Sequence, residues 1–315
     1  SRVKSRSDEL EKRRPFRILS IDGGGILGLY SAEVFRLIRD RYFPNASFSK
    51  SFELIAGTST GGIIALALGL GRDPDDISHF YRTYGPEIFP RRISSSKVRS
   101  CLKSLVGTRY SPGPLVKRAR ELFGEKCMKD SDTYLCIPAI DVVNAKGVVF
   151  KTPHGEDLRR DRNTKMWEVA VATSSAPTYF PVFATDEWEG LVDGGLWQNN
   201  PALIAMIEAH RYFLADDSEY DRLHVLSIGN PLTRVPKSMP IGTSRSSLFQ
   251  WNSKLVELPM KVSSKGVDDV LAFLKDFGAL KVERYFRLAS SDIGEATRFL
   301  AMDNASERAL RWMSQ

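Results

Sequence analysis

The chain has 315 residues, 42% of them hydrophobic, and a formal net charge of +7. That length and composition supply a sizeable core and suit an ordinary soluble globular protein. The longest uncharged apolar run, residues 63–70, falls far short of the ~20 residues that cross a bilayer, so no transmembrane helix is expected.

The first fourteen residues form a charged tail with no apolar core of the secretory kind, which points to a cytoplasmic protein. Residues 15–315 read as one domain, without an internal repeat or a convincing linker. "FRILSID" (16–22) is a mostly apolar buried strand, and "GGGILGLYSAEVFRLIRDRYF" (23–43) turns into an amphipathic helix faced by Leu29, Val34, Leu37 and Ile38. "SFELIAG" (51–57) is a second strand, and "GGIIALALGL" (61–70) is apolar on all sides, as a helix inside a core must be. Strand, glycine turn and helix, twice over, argue for a parallel sheet sandwiched by helices. Further strands are expected at 134–143, 147–152, 189–195 and 223–230, with helices at 164–176 and 200–213, the latter capped by Asn200 with Pro201 in its first position. Residues 91–113, rich in serine and basic residues, and 234–266, with Leu248, Phe249 and Trp251, read as long functional or mobile loops. Cys101, Cys127 and Cys136 match neither zinc nor disulfide spacing and read as reduced thiols. The basic excess gathers in the tail, at 91–103 and at 158–165, where it would attract an anionic partner such as phospholipid head groups or a nucleotide. None of these patches has the aromatic interleaving or zinc spacing of a nucleic-acid module, so no nucleic-acid partner is expected.

Three short motifs carry chemistry. In "GTSTGG" (57–62), a G-x-S-x-G between strand and helix forces Ser59 into a tight turn, with Gly57 and Gly61 where strand and helix approach too closely for side chains. "DGGGILG" (22–28) has two readings. Gly23, Gly25 and Gly28 satisfy the dinucleotide pattern, while the run of glycines also exposes the N–H groups that an oxyanion hole needs. The dinucleotide reading wants an acid at the end of the next strand, where Glu53 and Asp40 do not fall, and neither knot carries the Lys-Ser or Lys-Thr of a phosphate loop. None of His79, His154, His210 and His224 sits where a triad histidine would, so the base is sought among carboxylates. "LVDGG" (191–195) offers Asp193 at a strand end before Gly194 and Gly195.

Taken in order, these motifs resemble the patatin-like phospholipase family, as do "SSAPTYF" (174–180), "NNP" (199–201) and "AMDNAS" (301–306), over a span from about residue 16 to the C-terminus. The resemblance implies a three-layer α/β/α fold with a mainly parallel sheet and a Ser/Asp dyad without metal or other required cofactor. Ser59 would be the nucleophile, Asp193 its proton acceptor, and the N–H groups of Gly23, Gly24 and Gly25 the oxyanion donors. Gly28, Gly57, Gly61, Gly194 and Gly195 would be the motif glycines. The chain departs from the pattern at Leu27, where many members have Arg or Lys; Arg91, Arg92 and Arg109 are candidates to supply that charge.

The expected activity is hydrolysis of membrane phospholipid acyl esters through an acyl-enzyme, at the inner face of the membrane, with "LFQW" (248–251) and 91–113 as lid or interfacial candidates. Bacterial members that a cyclic nucleotide switches on in antiphage defence make such a nucleotide the candidate activator. Two rivals stand beside this reading: a non-hydrolytic nucleotide-binding protein with the glycine loop as phosphate cradle, and an esterase on small soluble esters.

Overall fold

The computed structural model describes residues 13–44, 47–90, 107–231, 254–290, 296 and 300–315. Strands β1 (Arg14–Ile21), β2 (Leu54–Gly57), β3 (Tyr134–Asp141), β4 (Lys146–Lys151), β6 (Tyr220–Ile228) and β7 (Val282–Leu288) form a sheet in the order β4-β3-β2-β1-β6-β7. A short strand, β5 (Leu191–Asp193), pairs with β3. All neighbours run parallel except β4 and β5, which are antiparallel to β3. The mainly parallel α/β/α architecture expected from the twofold strand-turn-helix pattern is the observed one.

Side-chain alternation along the strands feeds two cores. Leu19, Ile21, Ile55, Leu135 and Ile137 face one side. There they meet α1 (Gly28–Tyr42), α2 (Thr60–Gly69), α3 (Pro74–Ile88), α4 (Gly113–Phe123), α5 (Met166–Ser174) and α9 (Glu307–Met313). Phe16, Ile18, Leu54, Ala56 and Cys136 face the other, against α7 (Ala202–Phe213) and the second half of α8 (Lys254–Asp276). A four-residue helix, α6 (Gly195–Gln198), lies between β5 and α7. Every residue of α2 is buried, as its all-round apolar sequence requires; each Leu or Ile so buried contributes ~1.5–3 kcal/mol.

The elements read from sequence form close to their expected limits. Helix α7 begins at Ala202 with Pro201 as its N-cap, one residue later than expected, and Asn200 Oδ1 accepts the Ala202 N–H at 3.1 Å. Two expectations are overturned: Leu37, expected on the packed face of α1, is 57% exposed, with Leu29, Ala32 and Phe35 buried, and residues 254–266 are not loop but the first half of α8, a 23-residue helix. Pro259 disguised it, although Val256, Met260, Val267 and Leu271 make a helical buried stripe. Residues 91–106 and 248–251, and with them Arg91, Arg92, Cys101 and the lid candidates' core, lie outside the described residues. Cys127 and Cys136 are free and buried. No described helix is long and apolar enough to cross a membrane.

Candidate active site

The register of the sheet sets the site. Ile21 pairs with Gly57 at the carboxyl ends of the parallel strands β1 and β2, so the glycine loop after one lies against the serine turn after the other. Strand β3 brings the acid. Its Cys136 pairs with Ala56 of β2, and its Ala139 pairs with Asp193 of β5, which runs the opposite way along β3. The carboxyl ends of β2 and β5 therefore point at each other across Ile137 and Pro138, which brings Asp193 to Ser59 although 134 residues separate them in sequence.

Ser59 has φ 56° and ψ −124°, a left-handed conformation that a non-glycine residue holds only where its surroundings force it. The forcing groups are visible. A Cβ on Gly57 would come within 2.0 Å of the Gly61 carbonyl oxygen, and one on Gly61 within 2.3 Å of that of Ile21, so strand and helix touch backbone to backbone. The Ser59 N–H donates to Thr173 Oγ1 at 2.9 Å, whose own hydroxyl donates to the Pro138 carbonyl at 2.6 Å.

Asp193 is 1% exposed. Its Oδ1 accepts the Gly195 N–H at 2.7 Å, while Oδ2 is buried with no hydrogen-bond partner among the described residues. Burial pushes this carboxyl up from its ordinary 3.8 to about 7, against the lowering pull of the neighbouring Ser59 hydroxyl and the Gly195 N–H. A carboxylate with that affinity for protons accepts one near neutral pH far better than an exposed aspartate.

The glycine loop is pinned on both sides. The Ile26 N–H donates to the Met302 carbonyl at 2.8 Å, and a Cβ on Gly25, at φ +58°, would lie 2.1 Å from that same oxygen. Gly23 departs from expectation: its N–H donates to the Asn199 carbonyl at 3.1 Å and is already used. The N–H groups of Gly24 and Gly25 have no backbone or side-chain acceptor among the described residues. The "NNP" segment thus closes onto this loop, and Thr58 Oγ1 ties the serine turn to the neighbouring Gln198 carbonyl at 2.6 Å.

Ser59, Asp193 and Gly25 line one cavity with Thr60, Tyr81, Ser174 and Tyr179, and the rest of its walls are mostly apolar, including Ile63, Phe80, Ile88, Phe89, Leu115 and Phe180. No histidine lines it. A hydroxyl, a desolvated carboxylate and unpaired N–H donors beside an apolar slot suit attack on the ester of a long acyl chain.

The family model for patatin-like phospholipases matches residues 19–206, which include all three motifs. The chain belongs to the patatin-like phospholipase family. It is 31% identical over 312 residues to the cGAMP-activated phospholipase of Escherichia coli strain TW11681, covering 95% of this chain and 86% of that protein. The protein of the same name in Vibrio cholerae serotype O1 is 31% identical over 310 residues, with 93% and 87% covered. Patatin-like protein 2 of Oryza sativa subsp. indica is 28% identical over 319 residues, with 90% and 78% covered.

The later patatin-like phospholipase motifs now have physical roles. Asp22, first in the glycine motif, is an anchor: Arg287 Nη2 meets its Oδ2 at 2.7 Å and Nη1 its Oδ1 at 3.1 Å, and Ser264 Oγ donates to the same carboxylate. Neither Arg287 nor Ser264 was legible in sequence, because both depend on α8 and β7 packing over the loop. Asp303 of "AMDNAS" pairs with Arg109 and accepts from the Tyr110 hydroxyl at 2.8 Å, directly after Met302 has capped the glycine loop. Arg109 is therefore committed to a carboxylate and cannot replace the cation missing at Leu27, itself buried at 4% exposure. Thr173 stands directly before the "SSAPTYF" motif, a position from which it could have been found.

Proposed function

We propose that the chain hydrolyses acyl esters of membrane phospholipids through a Ser59/Asp193 dyad and an acyl-enzyme. Asp193 Oδ2 takes the hydroxyl proton as Ser59 Oγ attacks the ester carbonyl, the oxyanion draws on the N–H groups of Gly24 and Gly25, and the lysolipid alkoxide leaves with the proton. The observation that carries this reading is the shared cavity of Ser59, strained at φ 56°, and Asp193, buried with Oδ2 unpaired. A fluorophosphonate probe tests it: labelling should vanish in Ser59→Ala and fall in Asp193→Asn, and labelling indifferent to both changes ends the reading. Faster hydrolysis of short-chain monomeric esters than of vesicles would move the substrate to small soluble esters.

The proposal includes activation by a cyclic nucleotide at the cytoplasmic face of the membrane, the setting in which an antiphage role would operate. Its support is the name shared by two relatives that align over nearly the whole chain. Isothermal titration against cyclic di- and trinucleotides checks this; null heats throughout, together with high basal vesicle hydrolysis, would refute it.

A further inference from the structure

Three consecutive residues at the end of α5 surround the Ser59/Asp193 pair, and two of them have evident work. Thr173 Oγ1 accepts the Ser59 N–H at 2.9 Å, and the Ser175 carbonyl accepts the Asp193 N–H at 3.1 Å. The residue between them, Ser174, lines the same cavity as Ser59 and Asp193. It is 8% exposed, and its hydroxyl is buried with no hydrogen-bond partner among the described residues. A serine in the last turn of a helix normally donates back to a carbonyl of the preceding turn. Ser175 does so, to the Val171 carbonyl at 2.8 Å. Ser174 does not, and a buried unpaired hydroxyl costs ~1–3 kcal/mol.

Ser174 and Asp193, each carrying a buried oxygen without a partner among the described residues, thus line one cavity together with Ser59. A water needs ~10–15 Å³ of such space and two to four polar partners. The cavity, at about 40 Å³, has the room, and a turn of the Ser174 and Asp193 side chains toward it would supply the partners.

We propose that Ser174 holds the hydrolytic water of deacylation against Asp193, an inference that rests on the acyl-enzyme reading above. With Ser59 acylated, the water donates one hydrogen to Asp193 Oδ2 and the other to Ser174 Oγ, which leaves an oxygen lone pair for the acyl carbonyl carbon. Attack forms the new C–O bond as the proton passes to Asp193. Collapse of the tetrahedral intermediate breaks the bond to Ser59 Oγ, which recovers the proton from Asp193, and the fatty acid departs. Ser174 exchanges no proton or electron pair. It positions the nucleophile, so its effect falls on the second half-reaction alone.

Burst kinetics on a 4-nitrophenyl ester test this with Ser174→Ala. Deacylation should slow by about 10–100-fold, so kcat and KM fall together while kcat/KM, set by acylation, stays near the wild-type value. The burst should approach one equivalent per enzyme, and intact mass should show one acyl group on Ser59. Fluorophosphonate labelling should keep its rate and Tm should not drop, since the deleted hydroxyl had no partner. Equal losses in kcat and kcat/KM, unchanged kinetics, or slowed labelling would each overturn the role of Ser174. A wild-type enzyme that fails to label at Ser59 would instead bring down the dyad reading, and this inference with it.

Discussion

Replacing Asp193 with Asn should stabilise the protein while it silences it, and the stabilisation should depend on pH. The carboxyl titrates at about 7 in the fold and near its ordinary 3.8 when unfolded, so the native state holds the proton more tightly. Stability therefore falls as pH rises from about 4 to about 7, because the folded protein must ionise a group in a place without water. Each tenfold in proton affinity is worth ~1.4 kcal/mol, and the rise spans roughly three of them, giving a ceiling of ~4 kcal/mol and a realistic gain of ~2–4 kcal/mol at about pH 8. Asn keeps the acceptor for the Gly195 N–H and carries no charge to desolvate. Urea unfolding of both proteins at about pH 4 and about pH 8 gives the comparison, with the gap nearly closed at the lower pH. Vesicle hydrolysis should drop ~10²–10⁴-fold, the usual worth of a general base. A gap equal at both pH values, a variant less stable than wild type at about pH 8, or retained hydrolysis would refute this account of the carboxyl.

Wild-type acylation should rise with pH through about 7 and level off above it, read from kcat/KM across a buffer series, since in the proposed dyad only ionised Asp193 can accept the serine proton. Ser59→Gly and Ser59→Ala should be equally inactive, but the glycine variant should be more stable by ~1 kcal/mol in thermal melts, because only glycine takes φ 56° without strain. Gly61→Ala, whose Cβ would stand 2.3 Å from the Ile21 carbonyl oxygen, should lose more than ~3 kcal/mol or fail to fold, because backbone on both sides cannot yield. Arg287→Ala should cost ~3–5 kcal/mol in urea unfolding, since it strands the Asp22 carboxylate at 3% exposure.

How legible a part was follows from how locally it is determined. Helix α3 was readable but unread: Asp73 caps it, Pro74 opens it, and Ile77, Phe80, Tyr81 and Ile88 make its buried face. Helix α8 was masked by Pro259 and by polar neighbours whose partners, Asp22 and Tyr285, come from distant strands. By itself the sequence determined the serine turn, the glycine loop, the order of the motifs and the absence of a suitably placed histidine, because glycine knots between strands and helices constrain backbone within a few residues. Tertiary structure alone decided which groups remain available for chemistry. The Asn199 carbonyl occupies the Gly23 N–H, Asp303 occupies Arg109, and β5 meets β2 end to end so that Asp193 is buried near Ser59. Hydrogen-bond partners and desolvation belong to the whole packing, and no short stretch of chain carries them.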